Sequence, residues 1–295
     1  MHLFCKIFDM RYLFIFIIFF KFNSLLSQVF PSSFWNKPPS NSPIVTTTSI
    51  SNNEIFRPAS GGNVIGDGGG TILTKGVCWS VQPNPTVNNS KTSDGGGLGS
   101  YSSQLTGLTP NTKYYLRAYA KNEFGTNYGS EISFTTKAIG DEILGGKVAY
   151  ILLSGDAGYD PSIIHGLIIS NADISSNAIW GCNGINISGA EGNNIGTGNQ
   201  NTIDITNDCA TSGIAARICF DLIQNGYDDW YLPSKGELDI IHSTSVSSLL
   251  NGSYWSSTEI PPFGAWGLIF GSSLDGYGFA SEKKNPFKVR AVRSF

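Results

Sequence analysis

Between Ile44 and Thr136, short runs rich in β-branched and aromatic residues alternate with clusters of glycine, proline and asparagine, and no helical periodicity competes with them. The runs are Ile44 to Ile50, Ile72 to Val81, Ser100 to Leu108, Lys113 to Lys121 and Glu131 to Thr136. The breaks are GDGGG at 66–70, PNP at 83–85, SDGGG at 93–97 and TPN at 109–111. Chain punctuated at these intervals cannot sustain helices, and the spacing predicts an all-β sandwich over residues 43–137. Along Lys113 to Lys121 the side chains alternate. Tyr114, Leu116, Ala118 and Ala120 are expected in the core, and Tyr115, Arg117, Tyr119 and Lys121 in water.

A chain of 295 residues exceeds the usual single domain, and beyond the Ala138 to Glu142 linker the texture changes. Val148 to Leu153 and His165 to Ser170 enclose the turn GDAGYDP and read as a hairpin. Residues 181–208 are rich in glycine and asparagine and read as a loop. Ile214, Ile218 and Leu222 recur every fourth residue, which predicts a helix from about Ser212 to Gln224. Ser234 with Glu237 three residues later forms a capping box, opening a second helix whose Leu238 and Ile241 face inward. Strands are expected at Tyr254 to Glu259, Ala265 to Phe270 and Phe287 to Phe295, giving an α+β unit over residues 143–295.

Residues 1–27 have the layout of a secretory signal: Lys6 and Arg11, an apolar stretch from Tyr12 to Phe20, then small residues. That stretch is about half of the ~20 residues needed to span a bilayer, so cleavage near Ser27 is expected instead of a membrane anchor. Residues 28–42 carry repeated prolines and read as a spacer. Without residues 1–27, 16 basic side chains face 21 acidic ones, which offers no basic patch to nucleic acid.

Leu108-Thr109-Pro110-Asn111-Thr112-Lys113-Tyr114 resembles the fibronectin type III signature, with Tyr114 in the tyrosine-corner position. The resemblance implies that the Tyr114 hydroxyl bonds back to the chain and is structural. The C-terminal unit resembles the Lcl C-terminal domain, a family of unassigned function found at the end of the Legionella collagen-like protein. The matching residues include His165 to Ile168, Trp180 to Cys182, Gly196 to Asn199, Asn225 to Leu238, Tyr254 to Ser257 and Val289 to Phe295. Trp230 to Ser234 with Glu237 is also similar to the strand-Pro-helix step of C-type-lectin-like and formylglycine-generating-enzyme-like domains. This implies a C-type-lectin-like fold with Trp230 and Pro233 as structural residues. The Lcl C-terminal domain resemblance implies adhesion to sulfated or other glycans, although the chain is acidic where a binder of sulfated polymers would carry Lys and Arg.

Of the four cysteines after the leader, Cys209 and Cys219 lie too far apart along the expected helix to bridge, at roughly 15 Å. Cys182 is then the partner of one of them, with Cys209 preferred because both sit in loop-like sequence. Cys78, beside Trp79 on a strand, reads as a small buried hydrophobe. Asn193, Asn194, Asn199, Asn201, Asp204 and Asp208 offer oxygen donors suited to calcium, but they fit no EF-hand and are ordinary turn residues. No cofactor is expected, with calcium as the weaker alternative. The candidate ligand-binding residues are Glu259, Trp266, Asp275 and Tyr277, Tyr277 being the aromatic most expected to be exposed. Trp230, Trp255 and the Trp266, Leu268 and Phe270 face are expected to fill the core.

No GxSxG, HExxH or phosphate-cradling loop occurs, and no cysteine follows Cys219 to supply formylglycine-generating chemistry. Asp228 and Asp229 point to opposite faces as strand neighbours, which argues against a shared acid/base site. The sequence therefore predicts a secreted or surface-associated binding protein without catalysis, whose partner is a glycan or a cell-surface or matrix component. A purely structural or protein-adhesion role is the main alternative, and a hydrolase using Asp228, Asp229 and Glu259 the weaker one.

Overall fold

The computed structural model describes residues 41–51 and 57–295, so the expected signal peptide and all but the last two residues of the spacer lie outside the described residues. The first unit holds β1 (Ile44–Ser51), β2 (Ala59–Gly66), β3 (Thr74–Ser80), β4 (Ser90–Lys91), β5 (Gly99–Gln104), β6 (Lys113–Asn122), β7 (Gly125–Tyr128) and β8 (Ile132–Thr135). They form one sheet in the order β1-β2-β5 and a second in the order β4-β3-β6-β7, with β8 also paired to β6. Val45 and Val64 of the first sheet pack on Ala118 and Ala120 of the second, and Val77, Trp79, Leu116 and Phe134 fill the rest of the interior. The chain is mostly β, as the turn spacing predicts.

Tyr114 is buried, and its Oη accepts the Thr109 N–H at 3.0 Å. The alternation on β6 holds on its apolar face but fails at Tyr119, which is buried where water was expected. The segment after β4 lies over it, and its Oη donates to the Thr92 carbonyl at 2.7 Å. Strand β2 went unread because its glycines look like a turn. At Gly61 a Cβ would meet the Tyr101 carbonyl oxygen at 2.1 Å, so the close approach of β5 requires glycine there.

The second unit comprises β9 (Glu142–Ile143), β10 (Gly146–Ile151), β11 (Gly166–Ile169), β12 (Ser175–Ile179), α1 (Gly198–Asp208), α2 (Ala215–Phe220), α3 (Lys235–His242), a 3₁₀ turn (Ser245–Leu249), β13 (Gly252–Ile260), β14 (Gly264–Phe270), β15 (Gly278–Glu282), β16 (Pro286–Val289) and β17 (Val292–Ser294). A four-stranded sheet runs β17-β11-β10-β9 and a five-stranded sheet β12-β16-β13-β14-β15. The β10–β11 hairpin is the one expected. The expected linker is no free tether, since Ile139 packs into both cores of this unit and Gly140 N–H bonds the Val148 carbonyl. Among the described residues no helix is long and apolar enough to cross a membrane.

Three expectations are corrected. Residues 198–208 are a helix, not loop: apart from Ile205 its packed face is polar, so apolar periodicity could not reveal it. Asn201 there donates to the Gly192 carbonyl at 2.7 Å and Ser257 Oγ at 3.1 Å, and Thr202 Oγ1 accepts the Leu232 N–H at 3.0 Å. The helix expected at 212–224 spans only Ala215–Phe220, because the chain turns back at Asn225 and Gly226, both at positive φ. The expected last strand divides into β16, which pairs in parallel with β13, and β17, which pairs antiparallel with β11. The two strands are linked by the buried Arg290 and Ala291.

On the five-stranded sheet Trp255, Gly267 and Phe279 stand in one row across β13, β14 and β15. A Cβ on Gly267 would meet Phe279 Cζ at 2.5 Å and the Tyr254 carbonyl oxygen at 2.6 Å, one of them rigid backbone. Gly267→Val is therefore expected to destabilise the unit by about 1–3 kcal/mol or more through overpacking. Urea unfolding would check this, and a wild-type midpoint would contradict the packing described.

Candidate functional site

Helix α3 is fixed at its start by the expected capping box. Ser234 Oγ accepts the Glu237 N–H at 3.2 Å, and Glu237 Oε2 accepts the Ser234 N–H at 2.8 Å. Glu237 is wholly buried and also takes the Gly196 N–H at 2.9 Å. Burial raises its pKa, opposed by those N–H donors. The anchored helix projects Lys235, Asp239 and His242, spaced i, i+4 and i+7, along one face.

Lys235 and His242 reach residues of the five-stranded sheet and its β14–β15 loop, and Asp239 pairs with Lys235 along the helix. Lys235 Nζ lies 2.7 Å from Asp239 Oδ2 and 5.5 Å from the centre of the Trp266 ring. His242 Nε2 lies 3.0 Å from Asp275 Oδ2, close enough for an ion pair when protonated but misaligned for a hydrogen bond. The His242 ring packs on Phe270 at 5.6 Å. Asp275 also accepts the Gly271 N–H at 2.8 Å; that N–H first and His242 second hold its carboxyl below the usual range. Trp266 is half-buried, so an aromatic edge and four charged or titratable groups form one continuous rim.

Tyr277 is 60% exposed and stands opposite Ile269, whose N–H bonds the Tyr277 carbonyl at 3.1 Å. It is two residues from Phe279, so alternation sets it on the sheet face of the half-buried Phe279 and Phe287. Trp266 and Asp275 thus belong to the α3 side, and alternation assigns Tyr277 to the opposite face of the sheet. Trp230, Tyr231, Tyr254, Trp255 and Phe270, which could also have stacked on a ligand, are buried. Pro233 is buried as well, and its carbonyl accepts the Ser257 N–H.

Glu259 is not part of the rim, and its expected ligand contact is corrected. Its side chain is fully buried, ion-paired to an equally buried Lys283, and both carboxylate oxygens accept the Ile187 N–H. Lys283 Nζ further donates to the Ile185 carbonyl at 2.6 Å and sits over the Trp180 ring at 4.7 Å. Asp229 is held by Arg293, whose Nε and Nη2 reach its two oxygens at 2.6 and 2.8 Å. The preferred cysteine pairing is present: Cys182 and Cys209 are bonded, with Cα atoms 5.8 Å apart. Cys78 and Cys219 are buried free thiols, and burial pushes Cys78 up to about 11 and Cys219 further.

Among the described residues no three His, Cys, Asp or Glu side chains converge where they could hold a metal. Two of the suggested calcium ligands are engaged elsewhere, Asn201 in the core bonds given above and Asp204 with the Gln200 amide at 2.9 Å. Sequence reasoning missed Lys235, Asp239 and His242, although their spacing directly behind the capping box was the signal that could have found them.

No family model matches the chain, and no curated protein matches it either. Among solved structures it is similar to a fimbrial protein from Bacteroides ovatus, with 15% identity and a TM-score of 0.38. The similarity covers 75% of this chain and 64% of that one, so the chain spans under two thirds of that protein's length. A likeness this slight assigns neither fold nor function.

Proposed function

We propose that this chain is an exported, non-catalytic binding protein that recognises glycans through the rim between α3 and β14. In this reading the N-terminal sandwich is a fibronectin type III-like spacer. The C-terminal unit is a C-type-lectin-like module of the Lcl C-terminal kind. The observation that carries the reading is the half-exposed Trp266 beside Lys235, with the Lys235–Asp239 and His242–Asp275 pairs along α3. Sugars present apolar ring faces and hydroxyl edges, which suit an aromatic surface bordered by polar groups. The rim side chains already hold one another, so little ordering entropy is lost on binding.

The test is a glycan array with the purified protein, with and without calcium, followed by titration of any hit. Trp266→Ala is expected to weaken that hit about tenfold or more, a loss of roughly 1.4 kcal/mol, with the melting temperature unchanged. An empty array defeats the proposal. Binding to a matrix protein through the same residues would move this surface to protein adhesion.

A further inference from the structure

The imidazole of His242 ends helix α3 directly beneath the β14–β15 connection. A Cβ on Gly276 would meet its ring at 2.7 Å, so the connection rests on the ring. Nε2 of that ring is buried and makes no hydrogen bond, although Asp275 Oδ2 stands 3.0 Å away. A buried polar atom without a partner carries a penalty that a charged contact offsets. Protonation makes both ring nitrogens donors and sets a positive charge beside the carboxylate.

Gly271 and Gly276, at φ 68° and 78°, bound the connection in a conformation that favours glycine. Between them the bonds are local: Asp275 N–H donates to the Ser272 carbonyl at 3.1 Å, and Tyr277 N–H to the Leu274 carbonyl at 2.9 Å. Asp275 has two tasks. Its Oδ1 accepts the Gly271 N–H at 2.8 Å and closes the loop on itself, while Oδ2 faces His242 and joins the loop to α3. Leu274 and Tyr277, on either side of it, are exposed, so this joint positions two apolar side chains in water. Titratable groups on the elements packed around α3 are engaged elsewhere. Asp239, one turn back on the helix, is paired with Lys235. Strand β14 turns Phe270 to the ring, and the 3₁₀ turn carries no titratable side chain. On β13 the Tyr254 hydroxyl donates to Asp173 and Glu259 is paired with Lys283. On β10 the Tyr150 hydroxyl donates to Asp156 and Lys147 is paired with Glu142.

We propose that His242 and Asp275 form a proton-operated latch, which holds the 271–276 loop against α3 in mildly acidic surroundings and lets it loosen as the pH rises. The Gly271 N–H first and His242 second keep the Asp275 carboxyl below the usual range. Asp275 therefore stays charged throughout the interval, about pH 5 to 8, in which imidazoles ordinarily change charge. Of the two partners only the ring titrates there. The ion pair is complete on the acid side, and its contribution is lost as the ring gives up its proton with rising pH. Both side chains are partly exposed, so the effect on the opening equilibrium of the loop is about twofold to fivefold. The latch does not rest on the glycan reading, because the loop itself reports on it.

Amide hydrogen exchange of the purified protein, followed by NMR at about pH 5.5 and about pH 8 and corrected for the intrinsic pH dependence of exchange, tests it. The Gly271 amide is expected to lose about twofold to fivefold of its protection at the higher pH, while the Leu268 amide inside β14 keeps its own. His242→Gln removes the titrating ring, and Asp275→Asn removes the charge but keeps an oxygen for the Gly271 N–H. Each is expected to abolish the difference between the two pH values, with wild-type melting at pH 8. Asp275→Asn carries the test alone should His242→Gln disturb folding. Equal Gly271 protection at both pH values in the wild type, a loss shared equally by Leu268, or a wild-type difference surviving in a folded variant would each overturn the proposal.

Discussion

Replacing Lys283 with methionine is expected to cost the C-terminal unit about 3–5 kcal/mol, because the change leaves Glu259 as an unpaired charge away from water. Both side chains are completely buried, so no solvent can enter to take over the lost contact. The Trp180 ring would also lose the cation over its face. Removing both charges should undo most of the loss, since a well-packed apolar pair often replaces a buried ion pair at little cost. Lys283→Met combined with Glu259→Leu is therefore expected to be clearly more stable than Lys283→Met alone. Urea unfolding followed by tryptophan fluorescence is the measurement, since four of the six tryptophans lie in this unit. A single variant within about 1 kcal/mol of wild type would refute the buried-charge account.

Opening the disulfide is the second large effect. Cys182 and Cys209 close a chain segment with a sequence separation of 27, and a loop of that length is worth about 3–4 kcal/mol when cross-linked. The double variant Cys182→Ser, Cys209→Ser is expected to lose that much, and reduction followed by alkylation of the native protein should reproduce it. Cys219 provides no substitute partner, being a fully buried thiol whose pKa burial pushes far up. Unfolding midpoints that do not move on reduction would show that the cross-link leaves the unfolded ensemble unrestricted.

What the sequence disclosed depended on whether the force behind each feature is local. The strands of the first unit were readable because alternation and turn residues act within a few positions, and the capping box at Ser234 and Glu237 is just as local. Helix α1 was hidden because the bonds holding Asn201 and Thr202 come from Gly192, Ser257 and Leu232, all distant along the chain or outside the helix. Glu259 looked available for a ligand because its counter-charge, Lys283, lies 24 residues downstream. The rim was half legible: Trp266 and Asp275 were singled out as aromatic or acidic residues near turns. Their grouping with Lys235, Asp239 and His242 needed the packing of α3 on β14, which no spacing rule supplies.

The route of residues 286–294 through both sheets sets the order in which the second unit can mature. Strand β11 waits some 120 positions for β17, and β13 waits for β16 across the whole β14–β15 excursion. Contacts so remote in sequence are slow to form. Until the final segment arrives, both sheets carry open edges that could pair with another chain. A nascent chain would thus remain slack through most of this unit and lock only once its closing stretch is in place.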